Sequence, residues 1–223
     1  MEVSNKMEHL IDFILALFLI TNLMMAASSR LMHCIKIVVL QGILLGLLPL
    51  FLGYIEASHL IAALLNISIK GIALPYLLVA AIKRADVCRE LEPLVGYSTS
   101  LIIVLLFFAV SFWLGTKLPA DEPHLRLATP TAVATMLTGL FIVMARRKAI
   151  TQAIGFLTFE NGISLFGTGR MLDFGVAIEL GILLDVLVLV FVMGIAVMRI
   201  KREFQHIDSD KLHFLGDNQK EAE

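Results

Sequence analysis

Apolar residues run along this chain in long blocks, with charged residues confined to the breaks between them. The blocks fall roughly at 9–27, 36–55, 59–82, 97–115, 130–145, 149–169 and 174–198. Most reach the ~20 residues that a helix needs to cross ~30 Å of hydrocarbon. The pattern predicts an all-α integral membrane protein, a bundle of about seven transmembrane helices. Only Arg146-Arg147-Lys148 separates the fifth block from the sixth, which predicts an antiparallel hairpin and makes that basic run a topological anchor. The longest break between blocks is 116–129. A soft boundary there divides a four-helix part, 1–120, from a three-helix part, 121–199, followed by a polar tail, 200–223.

Composition agrees with this partition. Hydrophobic residues make up 58% of the 223 residues and charged ones 17%, and the mean hydropathy is +0.88. A soluble domain of this size cannot hide that much apolar surface in one core. The formal net charge of −1 provides no field for nucleic acid. Lys6 is the only basic residue before the first block, which therefore reads as a retained helix rather than a cleaved leader.

Lysine and arginine orient the bundle. Thirteen of the eighteen fall on one side if the blocks alternate, four fall on the other, and Lys70 lies inside a span. The positive-inside rule then puts the N-terminus outside and the C-terminal tail in the cytoplasm.

Three charged residues sit where lipid should be. Lys70 is midway along the third block. Glu160 follows Lys148 by twelve residues, ~18 Å along a helix. Asp185 precedes Arg199 by fourteen, ~21 Å. Each costs ~2.5–3.5 kcal/mol or more to insert at the bilayer centre, so each is expected to face protein or water. Three readings are open for the set: a proton relay, a structural lysine–carboxylate pair that keeps helices in register, and an unrelated ligand site. Glu179, six residues and ~9 Å outward of Asp185 along the helix, is a candidate access point for protons. Asn66 is four residues before Lys70 and shares its face, which makes it a candidate partner. Asn161 is a supporting polar group beside Glu160, and Gly162 after it admits a close neighbouring helix. Pro75 frees the Gly71 carbonyl and predicts a kink beside Lys70. Asp12, Asn22 and Gln41 read as helix-packing groups.

The chemistry of cofactors is poorly represented. Cys34 and Cys88 stand far apart, and the six histidines lie at block ends, in loops or in the tail. No metal-ligand spacing, nucleophile elbow, phosphate loop or dinucleotide fingerprint is present. No cofactor, metal or catalytic site is therefore expected in the chain itself. In the tail, Leu212, Phe214 and Leu215 form an apolar cluster too small to bury itself, and they are candidates for docking on a partner subunit.

The stretch RRKAITQAIGFLTFENGISLFG, followed by VAIELGILLDVLVLVFVMGIAVMRIKRE, resembles the hydrogenase-4 component E family. The residues that fit are Gln152, Gly155, Glu160-Asn161-Gly162, Glu179 with Gly181, and Asp185. Lys70 with Leu74-Pro75 fits as well, as do Asp208, Leu212, Leu215 and Gly216. The last three blocks are also similar to the small K-type subunit of respiratory complex I. They depart from it in that, with Asn161 matched, Leu157 occupies the acid's place and Glu160 lies one turn later. The resemblance implies a non-catalytic subunit in the cytoplasmic (inner) membrane of a bacterium or archaeon. It further implies lateral proton transfer through the membrane arm, antiporter-like membrane subunits and cytoplasmic electron-transfer subunits as partners, and redox chemistry carried by those partners. Competing readings are a self-sufficient H⁺ or Na⁺ transporter, a purely structural anchor, and a photoreceptor using Lys70 as a Schiff base. No inverted repeat supports the transporter, and one tryptophan and three tyrosines leave little for a retinal pocket.

Overall fold

A computed structural model describes residues 2–51, 64, 67–85, 94–118 and 125–169. The expected seventh span, the tail and Asn66 lie outside the described residues. Within them the chain is helical, with no β-strand. Six α-helices and one π segment follow in order: α1 (Glu2–Ala27), α2 (Leu31–Phe51), the π segment (Ile67–Ala73), α3 (Leu74–Ala85), α4 (Tyr97–Lys117), α5 (Ala128–Ala145) and α6 (Ala149–Gly169). Four of these, α1, α2, α4 and α5, are long and apolar enough to cross a membrane. The expected fourth, fifth and sixth blocks match α4, α5 and α6 within two residues. The second helix begins five residues earlier than its block, because Leu31–Ile35 already packs into the core around Leu31, Cys34 and Ile35.

The α5–α6 hairpin is the centre of the bundle, and its two helices share the most extensive contact in the molecule. Small residues make this approach possible. A side chain at Gly162 would meet the Met136 amide nitrogen at 2.6 Å and the Ala132 carbonyl at 3.0 Å. One at Gly155 would meet the Val143 nitrogen at 2.9 Å. Helices in lipid gain little from hydrophobic association and rely on this kind of backbone proximity. α6 is the most enclosed of the long helices, since none of residues 150–169 is exposed. By contrast α4 is peripheral: only 17% of its spanning window is buried, against 67% for α5. Ile102, Leu105, Leu106, Val110, Phe112 and Trp113 accordingly face outward, as apolar side chains in lipid can.

The core has two apolar layers. One contains Met25, Val38, Leu78, Val104, Ile142, Ile154 and Leu157. The other contains Phe18, Leu45, Leu48, Ala132 and Leu165. On each of α1, α2, α5 and α6 the switch from one layer to the other is occupied by polar residues, and this intervening layer is the site described next.

Candidate functional site

The polar layer is assembled from one position on each helix. Between Phe18 and Met25, α1 presents Thr21 and Asn22. Between Val38 and Leu45, α2 presents Gln41. Between Ala132 and Phe141, α5 presents Thr135 and Thr138, and between Leu157 and Leu165, α6 presents Glu160 and Asn161. All seven are buried. Buried away from bulk water, such groups need hydrogen-bond partners.

Lys70 and Glu160 form an ion pair, Lys70 Nζ to Glu160 Oε1 at 2.7 Å, with side chains 3% and 0% exposed. Lys70 also donates to Ser164 Oγ, one turn further along α6, at 3.3 Å. The backbone geometry that delivers Lys70 has a local cause. Pro75 has no N–H to offer the Gly71 carbonyl. The helix ahead of it widens to the π form from Ile67 to Ala73, one of the adjustments by which helices in membranes accommodate proline. The expected disturbance beside Lys70 is therefore a π segment, an element that recurs at functional positions. Gly42 on α2 completes the approach: a side chain there would meet Lys70 Cβ at 2.9 Å. The bare backbone lets the π segment press against α2, from where Lys70 reaches α6.

The amides form a second system. Gln41 Nε2 donates to Thr21 Oγ1 and to Asn22 Oδ1, both at 3.0 Å. Asn22 Nδ2 donates to Thr135 Oγ1 at 2.9 Å, and Thr135 donates to the Thr131 carbonyl at 2.8 Å. Asn161 Nδ2 lies 3.5 Å from Gln41 Oε1. Asn22 and Gln41 thus do pack helices, as expected, but they do it as links of one chain that reaches the residue next to Glu160. Their separations of 19 to 120 residues carry no spacing signal, so this connection is not legible in the sequence. Asp12 is partly buried on α1, away from this layer.

Arg146 departs from its expected role. It is not simply a solvated anchor at the membrane surface: its side chain is 2% exposed. The guanidinium donates to the carbonyls of Ala26 at 2.9 Å and Val95 at 3.1 Å, and it lies 4.6 Å from the centre of the Tyr97 ring. The Ala145 carbonyl meanwhile accepts from the Leu94 amide at 3.0 Å. The end of α1, the approach to α4 and the end of α5 are tied at one end of the bundle. Helix C-termini expose unpaired carbonyls and carry partial negative charge, which a guanidinium satisfies on both counts. Arg147, by comparison, is exposed. Nothing in an Arg-Arg-Lys run distinguishes its first member.

Of the other expected site residues, Asn66, Glu179, Asp185, Leu212, Phe214 and Leu215 lie outside the described residues. Ser164, which sequence reasoning missed, holds Lys70 from α6. Among the described residues no group of three or more histidine, cysteine, aspartate or glutamate side chains is placed to hold a metal ion.

No family model matches the chain, and no solved structure matches it. A protein of Mycobacterium tuberculosis (strain ATCC 25618 / H37Rv), named as the uncharacterized protein Rv0085, is 32% identical over 214 residues, which cover 93% of this chain and 96% of the relative. Similarity of that degree over nearly the whole of both chains places this protein in the same family as Rv0085.

Proposed function

We propose that this protein is a non-catalytic membrane subunit of a redox-driven, hydrogenase- or complex I-like assembly, and that its buried charged residues take part in lateral proton transfer. The observation that carries the reading is the Lys70–Glu160 pair, fully enclosed at mid-bundle with 2.7 Å between the charges. Two ionised groups in such a place cost more to desolvate than a well-packed apolar pair of the same volume, and intramembrane ionisable residues are by default functional. A carboxylate beside a cation responds electrostatically to the charge of its neighbours, and a relay requires that coupling.

In this reading Asp185 and Glu179 extend the row on a seventh span, and the N-terminus lies outside. The cytoplasmic tail docks on an electron-transfer partner through Leu212, Phe214 and Leu215, and antiporter-like subunits receive the protons laterally. The resemblance to hydrogenase-4 component E supplies those partners, and the Lys/Arg asymmetry supplies the orientation. The test is proton translocation by the assembled complex in inverted membrane vesicles. Glu160→Gln keeps size and hydrogen bonding but removes a proton site. It should lower translocation by at least about tenfold, a barrier of ~1.4 kcal/mol, while electron transfer in uncoupled membranes persists. Full translocation in the variant would reduce the pair to a structural role.

A further inference from the structure

The ion pair does not account for the amide chain beside it. Its hydrogen bonds all run the same way. Asn161 N–H points to the Gln41 oxygen, Gln41 N–H to the Asn22 oxygen, Asn22 N–H to the Thr135 hydroxyl, and Thr135 O–H to the Thr131 carbonyl. The Gln41 nitrogen serves two acceptors at once, Thr21 Oγ1 and Asn22 Oδ1. Followed in this direction, the chain starts at Asn161. Asn161 Oδ1 is a buried acceptor on a side chain 1% exposed, with no hydrogen-bond partner among the described residues. At the far end the Thr131 hydroxyl is likewise buried without a partner. The weakest link, 3.5 Å, is the one that Asn161 makes.

A buried acceptor left unmet costs ~1–3 kcal/mol, and native structures meet such groups with internal water. Among the described residues, Asn161 Oδ1 has no donor. Its neighbour in sequence is Glu160, whose side chain is buried in the same polar layer.

We infer that the head-to-tail amide chain Asn161–Gln41–Asn22 holds bound water at its Asn161 end, and that Glu160 exchanges its proton with this water. The inference rests on the proton-transfer reading above for its second half only. The amides themselves do not titrate, so they orient the water rather than carry the charge. On uptake an O–H bond of a hydronium breaks and an O–H bond on Glu160 forms, leaving neutral water and a neutral carboxyl. Release is the reverse.

Two measurements on the protein in its assembled complex test this. The first is a high-resolution structure in lipid nanodiscs, where ordered water is expected within hydrogen-bond distance of Asn161 Oδ1. A dry contact there overturns the inference, whatever Glu160 does. The second compares substitutions in the translocation assay. Asn161→Leu matches asparagine in shape and removes the water's acceptor. It should reduce translocation about as far as Glu160→Gln, while Asn161→Ser, which restores an oxygen, recovers part of the rate. A purely packing role for Asn161 predicts the opposite order, with leucine tolerated better than serine. Wild-type translocation in Asn161→Leu alongside a block in Glu160→Gln overturns the inference and leaves the proton-transfer reading standing. Translocation intact in Glu160→Gln removes that reading and the water's proton role with it, and the density at Asn161 Oδ1 then decides the hydration alone.

Discussion

Arg146 and Ala26 are 120 positions apart in the chain, yet the guanidinium of the first donates to the carbonyl of the second at 2.9 Å. This contact fastens the end of α1 to the turn of the α5–α6 hairpin, inside the protein. Hydrogen bonds that involve a charged group contribute ~1.5–3 kcal/mol each, and removal of the guanidinium also leaves the Ala26 and Val95 carbonyls unmet. Arg146→Met is therefore expected to destabilise the bundle by about 3 kcal/mol, read as a lowered midpoint in detergent thermal unfolding. Arg146→Lys keeps the charge but cannot span two acceptors in a fork, and should lie between the variant and the wild type. Arg147→Lys, on an exposed neighbour, serves as the comparison. Equal stability of Arg146→Met and wild type would show that the clamp contributes nothing.

The glycine contacts of the hairpin lead to a second expectation. Gly162→Ala sets a methyl group against the backbone of Met136 at 2.6 Å, which backbone atoms cannot avoid by changing rotamer. Overpacking of this kind costs ~1–3 kcal/mol. Gly96→Ala places its methyl where nothing lies within 4 Å and should stay within about 0.5 kcal/mol of wild type. Comparable unfolding midpoints for the two variants would contradict the close helix approach.

Loss of either member of the ion pair should not be symmetrical. Lys70→Met strands the Glu160 carboxylate, whereas Glu160→Gln leaves Lys70 with Ser164 and a side-chain oxygen as acceptors, on a stem long enough to shift. Breaking a buried pair costs ~3–5 kcal/mol when the remaining charge has no relief. The expected outcome is poor accumulation of Lys70→Met in membranes and near-normal accumulation of Glu160→Gln, measured by quantitative immunoblot. The double variant Lys70→Met with Glu160→Gln should recover part of the Lys70→Met loss. Failure of the double variant to improve on the single would argue against direct pairing.

Topology offers a fourth check. Arg146 gathers the end of α1, the approach to α4 and the end of α5 at one end of the bundle. With Cys34 and Cys88 replaced by alanine, single cysteines at Ser29 and at Lys117 should label from opposite faces of the membrane, Ser29 from the cytoplasm. Labelling of both from one face would break the alternation of spans.

The positions of the helices were legible in the chain because a bilayer imposes a length on every apolar run. Hence α4, α5 and α6 fall at their expected places, and Lys70 and Glu160 are conspicuous as charges at half-depth. The hairpin was legible too, since three residues leave its helices no alternative neighbour. What holds those helices against one another was not. In a soluble protein an apolar stripe reveals the buried face of a helix, but here α1, α2, α4 and α5 are apolar on nearly every face, so the sequence carries no angular information about which side meets which neighbour. Only the tertiary structure pairs Lys70 with Glu160 and Ser164, strings Asn22 and Gln41 into a single chain ending at Asn161, and turns Arg146 inward while Arg147 stays exposed. Those choices depend on contacts across up to 120 residues, where the unmet hydrogen bonds of one helix are satisfied by polar atoms of another, and no local pattern encodes that complementarity.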